Sequence, residues 1–134
     1  MNYLLDTNIC IYLIKRKPPE VIQRFQSLTP TDIKISAITV AELEYGAFKS
    51  QNVEKNRDAL NQFLLPLEIL AFEPAETQIY GQIRADLSRR GVIIGAMDML
   101  IAAQAISQNL TLVTNNMREF SRIPSLRLEN WVRS

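Results

Sequence analysis

Three carboxylates, Asp6, Glu42 and Asp98, stand inside apolar stretches, in YLLDTNICIYLI, ITVAELEYGA and IGAMDMLIAA. Most other acids occupy polar surroundings such as QNVEKNRDAL. Burying a carboxylate is costly unless a counter-charge pairs with it, and a metal cation does that well. A fold that accommodates this pattern brings three distant segments to one shared, negatively charged pocket for a divalent metal.

The segments around these acids alternate between strand and helix. Tyr3–Asp6 reads as a short buried strand leading into a helix at Thr7–Lys15, which Lys17-Pro18-Pro19 breaks. Glu20–Leu28 reads as a second short helix, residues 29–32 as a loop and Ile33–Ser36 as a second strand. Helical patterns follow over Thr39–Ser50 and Val53–Leu65, then a strand-length apolar run at Leu67–Phe72. Pro74 opens a long amphipathic helix that stops near Gly91, Met97–Asn109 is a further helix, Leu110–Thr114 a strand and Leu126–Glu129 a last edge strand. This order predicts an α/β fold of three layers, α/β/α, with a central parallel sheet of four to five strands covered on both faces. At 134 residues, 47% hydrophobic and without repeat or linker, the chain is expected to form one domain over residues 1–134. Open parallel sheets bind ligands at the carboxyl ends of their strands, and that places Asp6, Glu42, Asp98 and Asn115-Asn116 on one rim.

Absences narrow the chemistry. The chain has no histidine, which excludes imidazole acid–base catalysis, Ser–His triads and His-ligated zinc. Its single cysteine, Cys10, makes neither an internal disulfide nor a thiolate cage, fits a reducing compartment, and reads as core packing. A metal here would be held by oxygen, which favours Mg²⁺ or Mn²⁺. No apolar run approaches the roughly 20 residues of a membrane span, and no signal-peptide pattern is present, so a cytoplasmic protein with no membrane association is expected. Net charge is +1, yet ten arginines against five lysines include Arg89-Arg90 and Arg118, Arg122, Arg127 and Arg133. These suit bidentate phosphate contacts or, equally, a solvated surface.

Each candidate has an ordinary structural alternative. Asp6 can be a helix N-cap, although Thr7 and Asn8 can serve as well. Thr39 and Glu42 match a capping box, with Thr39 as N-cap. Gly46, one turn on, leaves room beside Glu42, and Glu44 is available for the solvent face. Asp98 can cap its own helix, but Ile101, Ala102 and Ala105 share its face. Asn116 and Glu119 can form a second capping box or a fourth, peripheral part of the acidic pocket. Gly91-Val92-Ile93-Ile94-Gly95 is wrongly spaced for a dinucleotide fingerprint and reads as a tight connection presenting Asp98. An Asp-nucleophile phosphatase needs a second aspartate two residues after Asp6, where Asn8 stands.

With LLDTNICIYLIK, ISAITVAELEYGA, RRGVIIGAMDMLIAAQA and LTLVTNNMREFSRI in this order, and LENW near the end, the whole chain resembles the PIN-domain ribonucleases. Within them it is similar to the VapC toxins of bacterial toxin–antitoxin pairs. The resemblance implies a metal-dependent endoribonuclease acting on structured RNA, initiator tRNA among the family's substrates. It matches Asp6, Glu42 and Asp98 to the family's first three acids. Many PIN domains carry an aspartate where this chain has Asn116, and Glu119 is the expected substitute. Asp6 and Asp98, with Glu42 directly or through water, would hold Mg²⁺ or Mn²⁺, while Thr7 and Asn116 or Asn115 would orient water or phosphate. A homodimer and inhibition by a cognate VapB-type antitoxin are implied as partners. The alternative is a PIN-like module that binds RNA or protein without cutting.

Overall fold

The computed structural model describes residues 2–133, and its sheet runs in the order β3-β2-β1-β4-β5 with every pair parallel. The strands are β1 (Tyr3–Leu5), β2 (Ile33–Ser36), β3 (Glu68–Leu70), β4 (Thr111–Val113) and β5 (Leu128–Glu129). Five parallel strands agree with the expected α/β/α sheet. β1 and β4 are buried at every position, so neither alternates between polar and apolar, as central strands covered on both faces require.

Two apolar layers cover the sheet. Tyr3, Leu5, Ile33, Ile35 and Val113 pack in one cluster with residues of α1 (Thr7–Lys15), α2 (Pro19–Gln26) and α4 (Val53–Leu64). Leu4 and Leu112 pack in the other with α5 (Pro74–Arg90), α6 (Ala96–Ser107) and Phe120 of α7 (Met117–Phe120). The helix α3 (Ala37–Phe48) belongs to both, since Val40 and Leu43 join the first cluster and Ile38 the second. Its first turns therefore cross the end of the sheet where the layers meet. Cys10 is fully buried in the first cluster, as core packing predicts.

Local caps account for the boundaries. The Ser36 hydroxyl accepts from the Ile38 N–H at 3.1 Å, so α3 begins at Ala37 and not at Thr39. α6 starts from Gly95 without a side-chain cap. Gly91, at φ 70°, ends α5 in the left-handed conformation that glycine adopts without strain. The expected loop at residues 29–32 contains a short 3₁₀ turn, Pro30–Asp32. No helix among the described residues is long and apolar enough to cross a membrane.

One polar cluster fastens the sheet edge. Arg24 on α2 donates to Glu129 Oε1 through Nε at 3.1 Å and Nη2 at 3.0 Å, and to the Tyr3 hydroxyl at 3.0 Å. The Trp131 indole N–H donates to the same carboxylate oxygen at 2.8 Å. The Arg24 and Glu129 side chains are 39% and 31% exposed, which moderates the pair. Arg24→Ala is expected to cost about 1–2 kcal/mol, read as a lower urea midpoint. An unchanged midpoint would contradict a structural role for this cluster.

Candidate metal centre at the sheet rim

The strand order reverses direction at β1. The chain steps outward from β1 to β2 and β3, then crosses back to β4 on the other side of β1. The crevice beyond the carboxyl ends of β1 and β4 is thus the topological switch point, where open α/β sheets bind ligands. Asp6 leaves β1 there and Thr114 leaves β4.

Asp6 is 5% exposed. Its Oδ1 accepts from the Ile9 N–H at 2.9 Å, capping α1, and its Oδ2 accepts from the Thr114 hydroxyl. Asp6 is therefore the N-cap; Thr7 and Asn8, which the sequence offers as equal candidates, lie inside the helix. Capping engages one oxygen and leaves the other on the rim. Burial pushes the Asp6 carboxyl up from 3.8 to about 6; the two hydrogen bonds oppose this, and the charges of Asp98 and Glu42 add to it.

Glu42 is half-buried on α3, and its Oε1 accepts from the Thr7 hydroxyl at 2.8 Å. The capping-box alternative fails, because Ser36 caps α3 and places Thr39 within the first turn. Asp98, in the first turn of α6, likewise caps nothing. It is half-buried, and burial raises its pKa, with the Glu42 and Glu119 charges adding to the effect. Electrostatic coupling therefore links all four acids.

Glu119 joins the group through Asn116. The Asn116 side-chain amide donates to Glu119 Oε2 at 3.1 Å, and its backbone N–H donates to the Thr114 hydroxyl at 2.9 Å. Asn116 occupies the N-cap position of α7 but makes no side-chain cap, so this capping box is also absent. Asn115 is exposed and faces Asn130 at 3.4 Å. Among the described residues, no three His, Cys, Asp or Glu side chains converge tightly enough to cage an ion as they stand. Asp6, Glu42 and Glu119 are each turned to a hydrogen-bond donor of their own, and Asp98 has none among the described residues.

A cleft of about 290 Å³ opens beside Glu42, with Thr7, Lys15, Gly46 and Leu60 in its wall. A β-carbon on Gly46 would meet nothing within 4 Å, which bears out the space expected there. Glu44 turns away to pair with Arg57 at 3.2 Å. A larger groove of about 410 Å³ between α1, α2 and α4 is lined without any carboxylate. Size here does not coincide with chemistry, and the acids mark the rim as the more informative feature.

Among the buried polar residues that sequence reasoning missed are Thr114 and Glu76. Thr114 is fully buried and ties Asp6 to Asn116; its only sequence signal is a hydroxyl ending the apolar run LTLV. Glu76 is the acid with least exposure, 0%, although its neighbourhood EPAETQ is polar. It completes a capping box with Glu73 and accepts from the Ser107 hydroxyl at 2.8 Å, serving structure at the end of α6 remote from Asp98.

Comparison with known proteins agrees with this geometry. The PIN domain profile matches residues 3–126. Ribonuclease VapC2 of Rickettsia felis is 48% identical over 132 residues, covering 98% of both chains. The tRNA(fMet)-specific endonuclease VapC of Salmonella typhimurium is 44% identical over 131 residues, again covering 98% of each. Among solved structures, VapBC2 from Rickettsia felis bound to a DNA fragment from its promoter matches with a TM-score of 0.93 at 48% identity, over 98% of this chain and 100% of that one. The chain belongs to the PIN-domain family, among its VapC ribonucleases.

Proposed function

We propose that this chain is the toxin of a toxin–antitoxin pair, an endoribonuclease that hydrolyses structured RNA with Mg²⁺ or Mn²⁺ held by Asp6, Asp98 and, directly or through water, Glu42. The observation that carries the reading is Asp6, a carboxylate 5% exposed whose proton affinity is raised by burial and by two neighbouring acids. Such a cluster is electrostatically unbalanced by itself, and a divalent cation restores the balance. The donor set fits: every candidate ligand is a hard oxygen, and neither imidazole nor a second thiol competes. One Glu42 oxygen is engaged by the Thr7 hydroxyl, and its Oε2 accepts no hydrogen bond from the described residues.

A bound divalent cation supplies the charge that acidifies water and offsets the negative charge developing on phosphate. The chain's own residues supply position. Thr114 fixes one Asp6 oxygen while the Ile9 N–H fixes the other, so that carboxylate is preorganised. Thr7 and Asn116 hold Glu42 and Glu119 and can exchange those bonds for phosphate or water. Lys15, in the wall of the cleft beside Glu42, and exposed Arg118, next to Glu119, are placed for RNA phosphates, a salt-sensitive contribution. The name of the Salmonella relative suggests initiator tRNA as substrate, and the VapBC complex among the solved structures suggests a VapB-type antitoxin as partner; a homodimer working in the cytoplasm is the expected form.

The test is cleavage of structured RNAs, initiator tRNA included, by protein freed of antitoxin. Cleavage is expected in Mg²⁺ or Mn²⁺ and is expected to fall by about 10²–10³ or more in EDTA and in Asp98→Asn. Cleavage that persists in EDTA would overturn the metal mechanism. RNA bound but never cut would favour the binding-module reading.

A further inference from the structure

Thr39 is 0% exposed, and its hydroxyl has no hydrogen-bond partner. The only other buried side-chain atom in that condition among the described residues is Oε1 of Gln104, whose amide nitrogen is satisfied by the Leu70 and Ala71 carbonyls. A buried hydroxyl left unpaired is costly, so native chains seldom keep one without a use. Local structure does not explain it. Ser36 already caps α3, and the Thr39 hydroxyl bonds no backbone carbonyl of the preceding turn.

Its place in the fold is more telling. Ile38 packs in the layer containing α6, and Val40 packs in the layer containing α1. Thr39 lies between them on the seam of the two layers, and these are the helices that carry Asp98 and follow Asp6. Glu42 stands three residues further along α3, on the same helix face. Helical side chains lean toward the N-terminus, so Thr39 occupies the turn of that face nearer the strand ends.

We propose that Thr39 is a positioning residue of the metal centre, its hydroxyl held in reserve for a water in the coordination shell of the cation. This rests on the metal site proposed above. No group among the described residues partners the hydroxyl; a water on the cation would be its partner and would be fixed relative to Asp6 and Asp98. Residues that orient metal ligands from behind typically contribute 10–100-fold to metal affinity.

Thr39→Val tests this, because valine keeps the shape and removes only the hydroxyl. Mn²⁺ affinity by calorimetry is expected to fall about 10-fold or more. Thermal unfolding in EDTA is expected to be unchanged or higher, since the orphan is gone, and Thr39→Ser is expected to restore Mn²⁺ binding. Wild-type affinity in Thr39→Val would overturn the proposal, as would a loss of stability in EDTA, which would assign the hydroxyl a structural partner. Wild-type protein that binds no Mn²⁺ would instead sink the underlying metal site, so the two failures are distinguishable.

Discussion

Asp6→Asn is expected to abolish RNA cleavage and at the same time to raise the stability of the metal-free protein by about 2–3 kcal/mol at neutral pH. Asparagine caps helices as well as aspartate does, so its Oδ1 can keep the Ile9 N–H, and its amide can donate to the Thr114 hydroxyl. What disappears is a buried charge beside Asp98 and Glu42. The sign follows from the proton affinities. Folded Asp6 holds its proton to about pH 6, whereas the unfolded chain releases it near 3.8. Between these values the folded state binds more protons. The stabilisation from protonated Asp6 is therefore complete below pH 3.8 and is lost as pH rises through about 6. In EDTA, wild-type stability should decline from pH 4 to pH 7 by this amount, and Asp6→Asn should flatten that decline. A Tm higher by roughly 5–10 °C in the variant at pH 7 is the expected reading. A variant less stable than wild type at pH 7 would show that the Asp6 charge is already compensated by protein groups. Activity thus works against stability at this position, as at many sites built to bind a cation.

Glu76 behaves in the opposite way. It is fully buried but saturated, with one oxygen on the Glu73 N–H at 3.0 Å and the other on the Ser107 hydroxyl at 2.8 Å. Glu76→Ala leaves that N–H and that hydroxyl without partners and opens a cavity between α5 and α6. Two lost charge-assisted bonds, partly offset by removing a buried carboxylate, give an expected cost of about 3 kcal/mol. Glu76→Gln retains an acceptor for the N–H and a donor for the hydroxyl, and should cost under about 1 kcal/mol. Urea unfolding of both variants checks the pair. RNA cleavage per folded molecule should remain near wild type in each, because Glu76 lies away from the rim acids. Equal losses in the two variants would mean that its charge, and not its hydrogen bonds, holds the helices together.

These two buried acids mark the limit of what the sequence discloses. Asp6 was legible because a strand-like run delivers it straight into a helix, and a charge there is conspicuous. Glu76 was not, because its partner Ser107 lies 31 residues away and its neighbours are polar. Helix α1 and strand β2 matched their expected bounds, since Asp6, Lys17-Pro18-Pro19 and Ser36 punctuate them locally. The run Leu67–Phe72 is strand-like throughout, yet β3 stops at Leu70, opposite Ser36, because the neighbouring chain turns into α3 at Ala37 and leaves Ala71 and Phe72 no strand to pair with. The carboxyl end of that strand is a property of the neighbour. At Glu42, Thr39 and the glutamate three residues on carry a true capping pattern, but Ser36 at the strand end captures the helix first. Thr114 could not be read as an Asp6 partner before the parallel pairing of β1 with β4 set their ends side by side.

Calorimetric titration of Mn²⁺ into EDTA-stripped protein, repeated on Asp6→Asn and Asp98→Asn, addresses the acidic rim most directly. Wild-type protein should show saturable binding that both variants lose or weaken by at least about 10-fold. Binding of equal affinity in all three proteins would contradict the assignment of these carboxylates as the metal's ligands.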